Sequence, residues 1–119
     1  MKRWNVILEL IADMDAPVGA EIGVAKGLNF FHVLDGKPDL YLYGVDPYIQ
    51  FDGGDLFKSC SQARMDLMHD HVARRLQNYG GRAELYRMPS MLAAPMFDDA
   101  SLDFVFIDGN HMDVANDIN

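Results

Sequence analysis

The sequence predicts an α/β fold, a three-layer sandwich with helices on both faces of a parallel sheet, and three observations carry that prediction. Apolar runs of strand length alternate with stretches of helical periodicity along the whole chain. The run Leu40-Tyr41-Leu42-Tyr43-Gly44-Val45 is nearly continuous in apolar character, as strands buried on both faces are. The polar and glycine residues Gly23, Asp46, Ser90, and Asp108 with His111 each fall just after a strand, where ligands bind in such folds.

Taken in order, Trp4, Ile7, Leu8 and Ile11 lie at helical spacing, which predicts an amphipathic helix over residues 3–14. It stops in Asp15-Ala16-Pro17, because proline restrains the residue before it. Val18 to Val24 reads as the first strand, carrying Glu21 and running into Gly23 and Gly27. Glycine there lets the backbone turn sharply and approach a ligand, and the free N–H groups of the following helix, Leu28 to Leu34, face the same spot. Asp35-Gly36-Lys37-Pro38-Asp39 is a turn, and the strand Leu40 to Val45 ends at Asp46-Pro47-Tyr48.

Gln50 to Lys58, with Gly53-Gly54 at its centre, has the composition of a surface flap. Cys60, Ala63, Leu67, Met68, Val72, Leu76 and Tyr79 mark one face of a long helix that stops at Gly80-Gly81. Ala83 to Met88 is the third strand. A short helix from Ser90 to Phe97 follows, with Ser90 as its N-cap. After the turn Asp98-Asp99-Ala100-Ser101 comes the fourth strand, Leu102 to Ile107, then Asp108-Gly109-Asn110-His111 and the start of a further helix over 112–118. A chain of 119 residues with no tandem repeat and no low-complexity linker reads as one domain over 1–119, residues 1–16 forming its N-terminal helix.

Composition narrows the partners. A formal charge of −8 opposes a nucleic-acid backbone or an anionic membrane as partner, and Arg74-Arg75 is the only dense basic pair beyond Lys2-Arg3 at the N-terminus. No stretch approaches the roughly 20 apolar residues of a membrane span. Asn5 and Glu9 interrupt the apolar run after Met1-Lys2-Arg3-Trp4, which argues against a signal peptide. A single cysteine, Cys60, allows no internal disulfide, so a cytoplasmic location is expected.

Asp46 follows Gly23 by 23 positions (46 minus 23) and sits at the tip of the next strand, where a carboxylate can accept both hydroxyl protons of a ribose. A dinucleotide fingerprint would need glycine where this chain has Ala25, and Glu21 would repel a pyrophosphate, so a nicotinamide-dependent oxidoreductase is disfavoured. An acid in the position of Glu21 suits a ligand with a cationic group.

Three stretches, Glu21-Ile22-Gly23-Val24-Ala25-Lys26-Gly27, then Gly44-Val45-Asp46-Pro47-Tyr48, then Leu102 to Ile107 with Asp108-Gly109-Asn110-His111, resemble the first, second and fourth motifs of class I S-adenosylmethionine-dependent methyltransferases. The nearest likeness is to the small-molecule branch with Asp-Gly-x-His after strand four, and it runs from Val18 to the end. It implies a Rossmann-like sheet of strand order 3-2-1-4 and S-adenosyl-L-methionine as cofactor. By the same resemblance Glu21 and the backbone of Gly23, Val24, Lys26 and Gly27 take the methionine end, and Asp46 holds the ribose. Pro47, Tyr48 or their neighbours flank the adenine, with Ser90 at its edge, although Met88-Pro89 stands where the family often has an acid and a glycine.

Asp108 would then lie near the sulfonium, and His111 would deprotonate the hydroxyl of a small-molecule acceptor. The same two residues, three apart, are also the pair that a divalent metal ion would use, or else form a simple hydrogen-bonded turn. The family's complete fold has seven strands and this chain carries four. The resemblance thus implies that Leu102 to Ile107 is an edge and that the chain is truncated after its fourth strand. Three expectations follow: a fragment, a homodimer or other chain pairing at that edge, or a reduced protein whose edge its own termini cover. The reading that competes with a methyltransferase is a non-catalytic module that binds the cofactor or a partner.

Overall fold

The computed structural model describes residues 2–50, 61–97 and 101–107. Helix α1 (Arg3–Ile11) leads into strand β1 (Val18–Ile22), helix α2 (Leu28–Gly36), strand β2 (Tyr41–Val45) and helix α3 (Gln62–Leu76) with a 3-10 turn at Gln77–Tyr79. Strand β3 (Ala83–Tyr86), the short helix α4 (Ser90–Ala93) with a 3-10 turn at Ala94–Met96, and strand β4 (Phe104–Ile107) follow. All pairings are parallel and the sheet order is β3-β2-β1-β4, the Rossmann-like arrangement expected. The chain builds outward from β1 to β3 and then returns to pair β4 with β1. That reversal puts the crevice of an α/β fold at the carboxyl ends of β1 and β4.

Register decides which side chains meet which layer. Gly19 lies between Leu42 and Phe104, and Glu21 between Gly44 and Phe106. Leu42, Ala83, Phe104 and Phe106 therefore share the sheet face that packs on Ile7 and Ile11 of α1, Phe30 and Leu34 of α2, and Val72 of α3. This is the main core, and each side chain fully buried there contributes about 1.5–3 kcal/mol relative to an exposed one. The opposite face carries Tyr43 and Tyr86, on which Phe97, after α4, packs with ring centroids 5.0 and 5.9 Å away. Among the described residues helices thus flank both faces, three on one side and the short α4 segment on the other.

The strands are shorter than the apolar runs that announced them. β1 ends at Ile22 because Gly23 takes φ 87°, and β3 ends at Tyr86 because the Met88 N–H turns back to the Tyr86 carbonyl at 3.1 Å. β4 starts at Phe104, since Asp103 is used as a clasp: its backbone N–H donates to the Val18 carbonyl at 2.6 Å and its side chain accepts from the Val18 N–H at 2.8 Å. Only the helix-side residues of β4 are half-buried, while Val105 and Ile107 are 54% and 67% exposed. Among the described residues no strand lies beyond β4.

Two expectations are corrected. The inward face of α3 is Met65 and Val72, with Met68, Leu76 and Tyr79 half-buried, while Ala63 and Leu67 face solvent. Met68, Val72, Leu76 and Tyr79 thus lie on the expected face, whereas Ala63 and Leu67 do not and Met65 takes their place; a helix surface tolerates such exposure. Ser90 is the first residue of α4 and not its cap. Pro89, extended at ψ 150°, holds the cap position, which suits a residue with no N–H to offer and a fixed φ. The capping serine is Ser61, whose hydroxyl accepts from the Arg64 N–H at 3.2 Å at the start of α3.

The flap around Gly53-Gly54, Cys60, and the expected helix over 112–118 lie outside the described residues. No described helix is long and apolar enough to cross a membrane.

Close approach explains Gly19. A Cβ there would fall inside the Phe104 ring, so β4 docks on β1 only because position 19 is bare. Gly19→Ala is expected to destabilise the protein by about 1–3 kcal/mol through overpacking. Combining it with Phe104→Leu should recover part of that loss, read as non-additivity in urea denaturation.

Candidate functional site

Asp46 stands one residue beyond β2, 7% exposed, and its two carboxylate oxygens are divided between two turns. Oδ2 accepts from the Ala25 N–H at 2.9 Å, in the turn that follows β1. Oδ1 accepts from the Tyr48 N–H at 2.9 Å, in the turn that follows β2. The turns are also tied directly, the Tyr48 hydroxyl donating to the Ala25 carbonyl at 2.8 Å. Ala25 and Tyr48 both adopt left-handed backbone, φ 51° and 49°. Each such residue costs on the order of 1 kcal/mol or more, and the Asp46 carboxylate and the Tyr48 hydroxyl are what hold them there.

Around this carboxylate the β1 turn is shaped by Gly23 at φ 87° and Gly27 at φ 84°. The Gly23 N–H donates to the Val45 carbonyl at 2.8 Å and extends the β1–β2 ladder by one rung. Gly27 caps α2 with no side chain and so leaves the first-turn amides of that helix without a side-chain cap. A Cβ at Gly27 would meet the Phe31 ring at 2.6 Å. Val24 is buried under the turn and Lys26 projects into solvent.

Tyr48 is a structural strap. Its ring is 0% exposed and meets His69 of α3 edge-on at 5.5 Å, and burial followed by the charge of Asp46 pushes its hydroxyl far above the usual tyrosine range. The neighbour with a free surface is Ile49, 56% exposed. The Tyr48 carbonyl is held by Gln62 Nε2 at 2.9 Å and by the Arg87 guanidinium at 3.3 Å. Arg87 also pairs with Asp66 and holds that carboxyl below its usual range. Gln50 and Gln62 exchange bonds, each side-chain oxygen accepting from the other's backbone N–H at 3.0 and 3.3 Å.

Glu21 is buried near the end of β1, against α2. Its side chain lies on the helix-facing side of β1, 2% exposed, and Oε1 accepts from Asn29 Nδ2 at 2.7 Å. Burial raises its pKa to about 7, against the smaller lowering effect of the Asn29 bond. Asp46 adds slightly to the rise, which puts the two carboxyls at the same end of the sheet.

The structure thus gathers Gly23, Val24, Gly27, Asp46, Pro47 and Tyr48 at the carboxyl ends of the two central strands. Ser90 begins α4 after β3, exposed, and no hydrogen bond among the described residues joins its side chain to that group. Asp108 and His111 lie outside the described residues, as does any metal role for them. Among the described residues no three His, Cys, Asp or Glu side chains cluster as a metal site would need. Asn29, Gln62 and Arg87 were missed. Asn29 carried a readable signal, a lone amide inside Leu28-Asn29-Phe30-Phe31, whereas Gln62 and Arg87 look like any surface residues.

If Asp46 holds both turns, removing it should cost more than removing either bond beyond it. Asp46→Ala is expected to lose about 3 kcal/mol, the value of bonds to a charged acceptor, and Tyr48→Phe about 1 kcal/mol. Urea denaturation of the two variants and their double mutant checks the order, and the double should fall short of the sum.

The family model described as a methyltransferase domain matches residues 20–119. No curated protein sequence matches the chain as a relative. The matched span takes in β1 from its second half, both turns held by Asp46, and everything that follows, and on that match the chain belongs to the methyltransferase-domain family.

Proposed function

We propose that the domain binds S-adenosyl-L-methionine at the edge formed by Gly23–Gly27 and Asp46, and transfers its methyl group to a hydroxyl of a small molecule. The observation that carries the reading is the Asp46 carboxylate: nearly buried, pinned by one backbone N–H on each oxygen, and with a further lone pair on each left to accept. Those two positions suit the two hydroxyl groups of a ribose. The residues around it fit the rest of the cofactor. The uncapped first turn of α2 offers N–H groups and a positive dipole end to a carboxylate. Ile49 offers an apolar surface beside Asp46 for a flat base.

The cofactor supplies an already activated methyl group on a sulfonium. The protein's share is therefore orientation and the handling of one proton. Asp46 orients through two charge-assisted bonds, and the bonds of Tyr48, Gln62 and Arg87 keep it from rotating. Proton removal from the acceptor falls in this proposal to His111 with Asp108 beside it, on the strength of the sequence alone. A histidine suits the task because its unperturbed pKa lies near working pH.

S-adenosylhomocysteine at 100 times its dissociation constant should stabilise the protein by about 2.7 kcal/mol, and NAD should not. Asp46→Asn, which keeps volume but turns one acceptor into a donor, should weaken that binding by roughly tenfold or more. Calorimetric titration measures both. Equal binding of S-adenosylhomocysteine to the two proteins would remove Asp46 from the site.

A further inference from the structure

The pair formed by Glu21 and Asn29 is incomplete as two heavy-atom groups. Glu21 Oε1 and Asn29 Nδ2 are joined at 2.7 Å, yet Glu21 Oε2 and Asn29 Oδ1, both buried, have no donor. Both of those atoms are acceptors. Two buried acceptors on one bonded pair lack a single hydrogen, and leaving either unpaired costs the full desolvation of the group. We propose that Glu21 holds a proton on Oε2 and donates it to Asn29 Oδ1, closing a two-bond acid–amide pair that docks the first turn of α2 on the end of β1. No bond other than O–H is made or broken: the proton is taken from solvent and returns to it.

The setting favours the neutral acid. Glu21 lies between Gly44 and Phe106 on the core face of the sheet, 2% exposed, where an ionised carboxylate is costly. Three charged or titratable groups face it from neighbouring elements. Arg3 of α1 favours the ionised form, Asp46 at the tip of β2 favours the protonated one, and Tyr48 stays neutral throughout because its own hydroxyl is pushed up. Burial outweighs them, with a pKa of about 7 as the balance.

The consequence is a positioning device that responds to pH. Asn29 is the second residue of α2, and Gly27 with Ala25 lies just before it, so the pair fixes where the helix begins relative to the turn that Asp46 holds. Below neutrality both bonds are closed. Above it Oε2 is ionised and faces an amide oxygen.

The sign follows from the two pKa values. The unfolded carboxyl has lost its proton above about 4.5 while the folded one keeps it to about 7, so folding takes up a proton between them, and stability falls as pH rises through that window and levels off above it. Glu21→Gln reproduces the acid's donor and acceptor with no ionisable group. In carboxyl-labelled protein, the carbon resonance missing from Glu21→Gln should titrate near neutrality. Between about pH 5.5 and about pH 8, the folding constant of the wild type should drop roughly thirtyfold more than that of Glu21→Gln.

A resonance that titrates near 4.5 overturns the proposal, and so does a Glu21→Gln protein that is tenfold less stable than wild type at about pH 8.

Discussion

One carboxylate divides its oxygens between two pieces of chain that would otherwise be independent. Asp46 takes the Ala25 amide on one side and the Tyr48 amide on the other, and both residues sit in backbone conformations that side chains resist. Much of the rest serves that arrangement. The parallel register delivers Val45 beside Ile22, which sets the two turns next to each other, and the Gly23 N–H adds a last rung to the same ladder. Gln62 and Arg87 hold the carbonyl that leaves Tyr48, so the outer turn is secured from α3 and from just beyond β3 at once.

The two acids at this end of the sheet differ through their environment. Asp46 stands past the end of its strand and finds two backbone donors. Glu21 stands within its strand, on the parity that faces the helices, and finds one side-chain donor in an apolar layer. Parity does not separate them, because Glu21 pairs with Gly44, two residues before Asp46, and both acids fall on the same parity; what differs is that Asp46 lies past the end of its strand. Their separation in sequence says nothing of it.

Much of the fold was legible in the sequence because its signals are local. Glycine pairs, prolines and the change of period between strand and helix located all four strands and the helices between them within a few residues. The edge status of β4 followed from the order of the sheet. What escaped depends on partners. Ala63 and Leu67 were apolar enough to seem inward, yet the phase of α3 is set by where Met65 and Val72 meet the sheet. The left-handed turn at Tyr48 had no glycine or asparagine to mark it, because tertiary bonds impose it. Tyr48, expected with Pro47 or their neighbours beside a flat base, is fully buried under the turn, and Glu21, expected at the cationic end of a ligand, is buried against Asn29.

The reciprocal amides of Gln50 and Gln62 bear on changes of chain length between them. They fasten Gln50 and Gln62 to each other, and Gln62 passes that hold on to the carbonyl of Tyr48. Lengthening a connection between fixed anchors costs only about 0.6 kcal/mol per doubling. An insertion between Gln50 and Gln62 therefore costs little chain entropy while the two clasped ends, and the Tyr48 turn that Gln62 holds, keep their bonds.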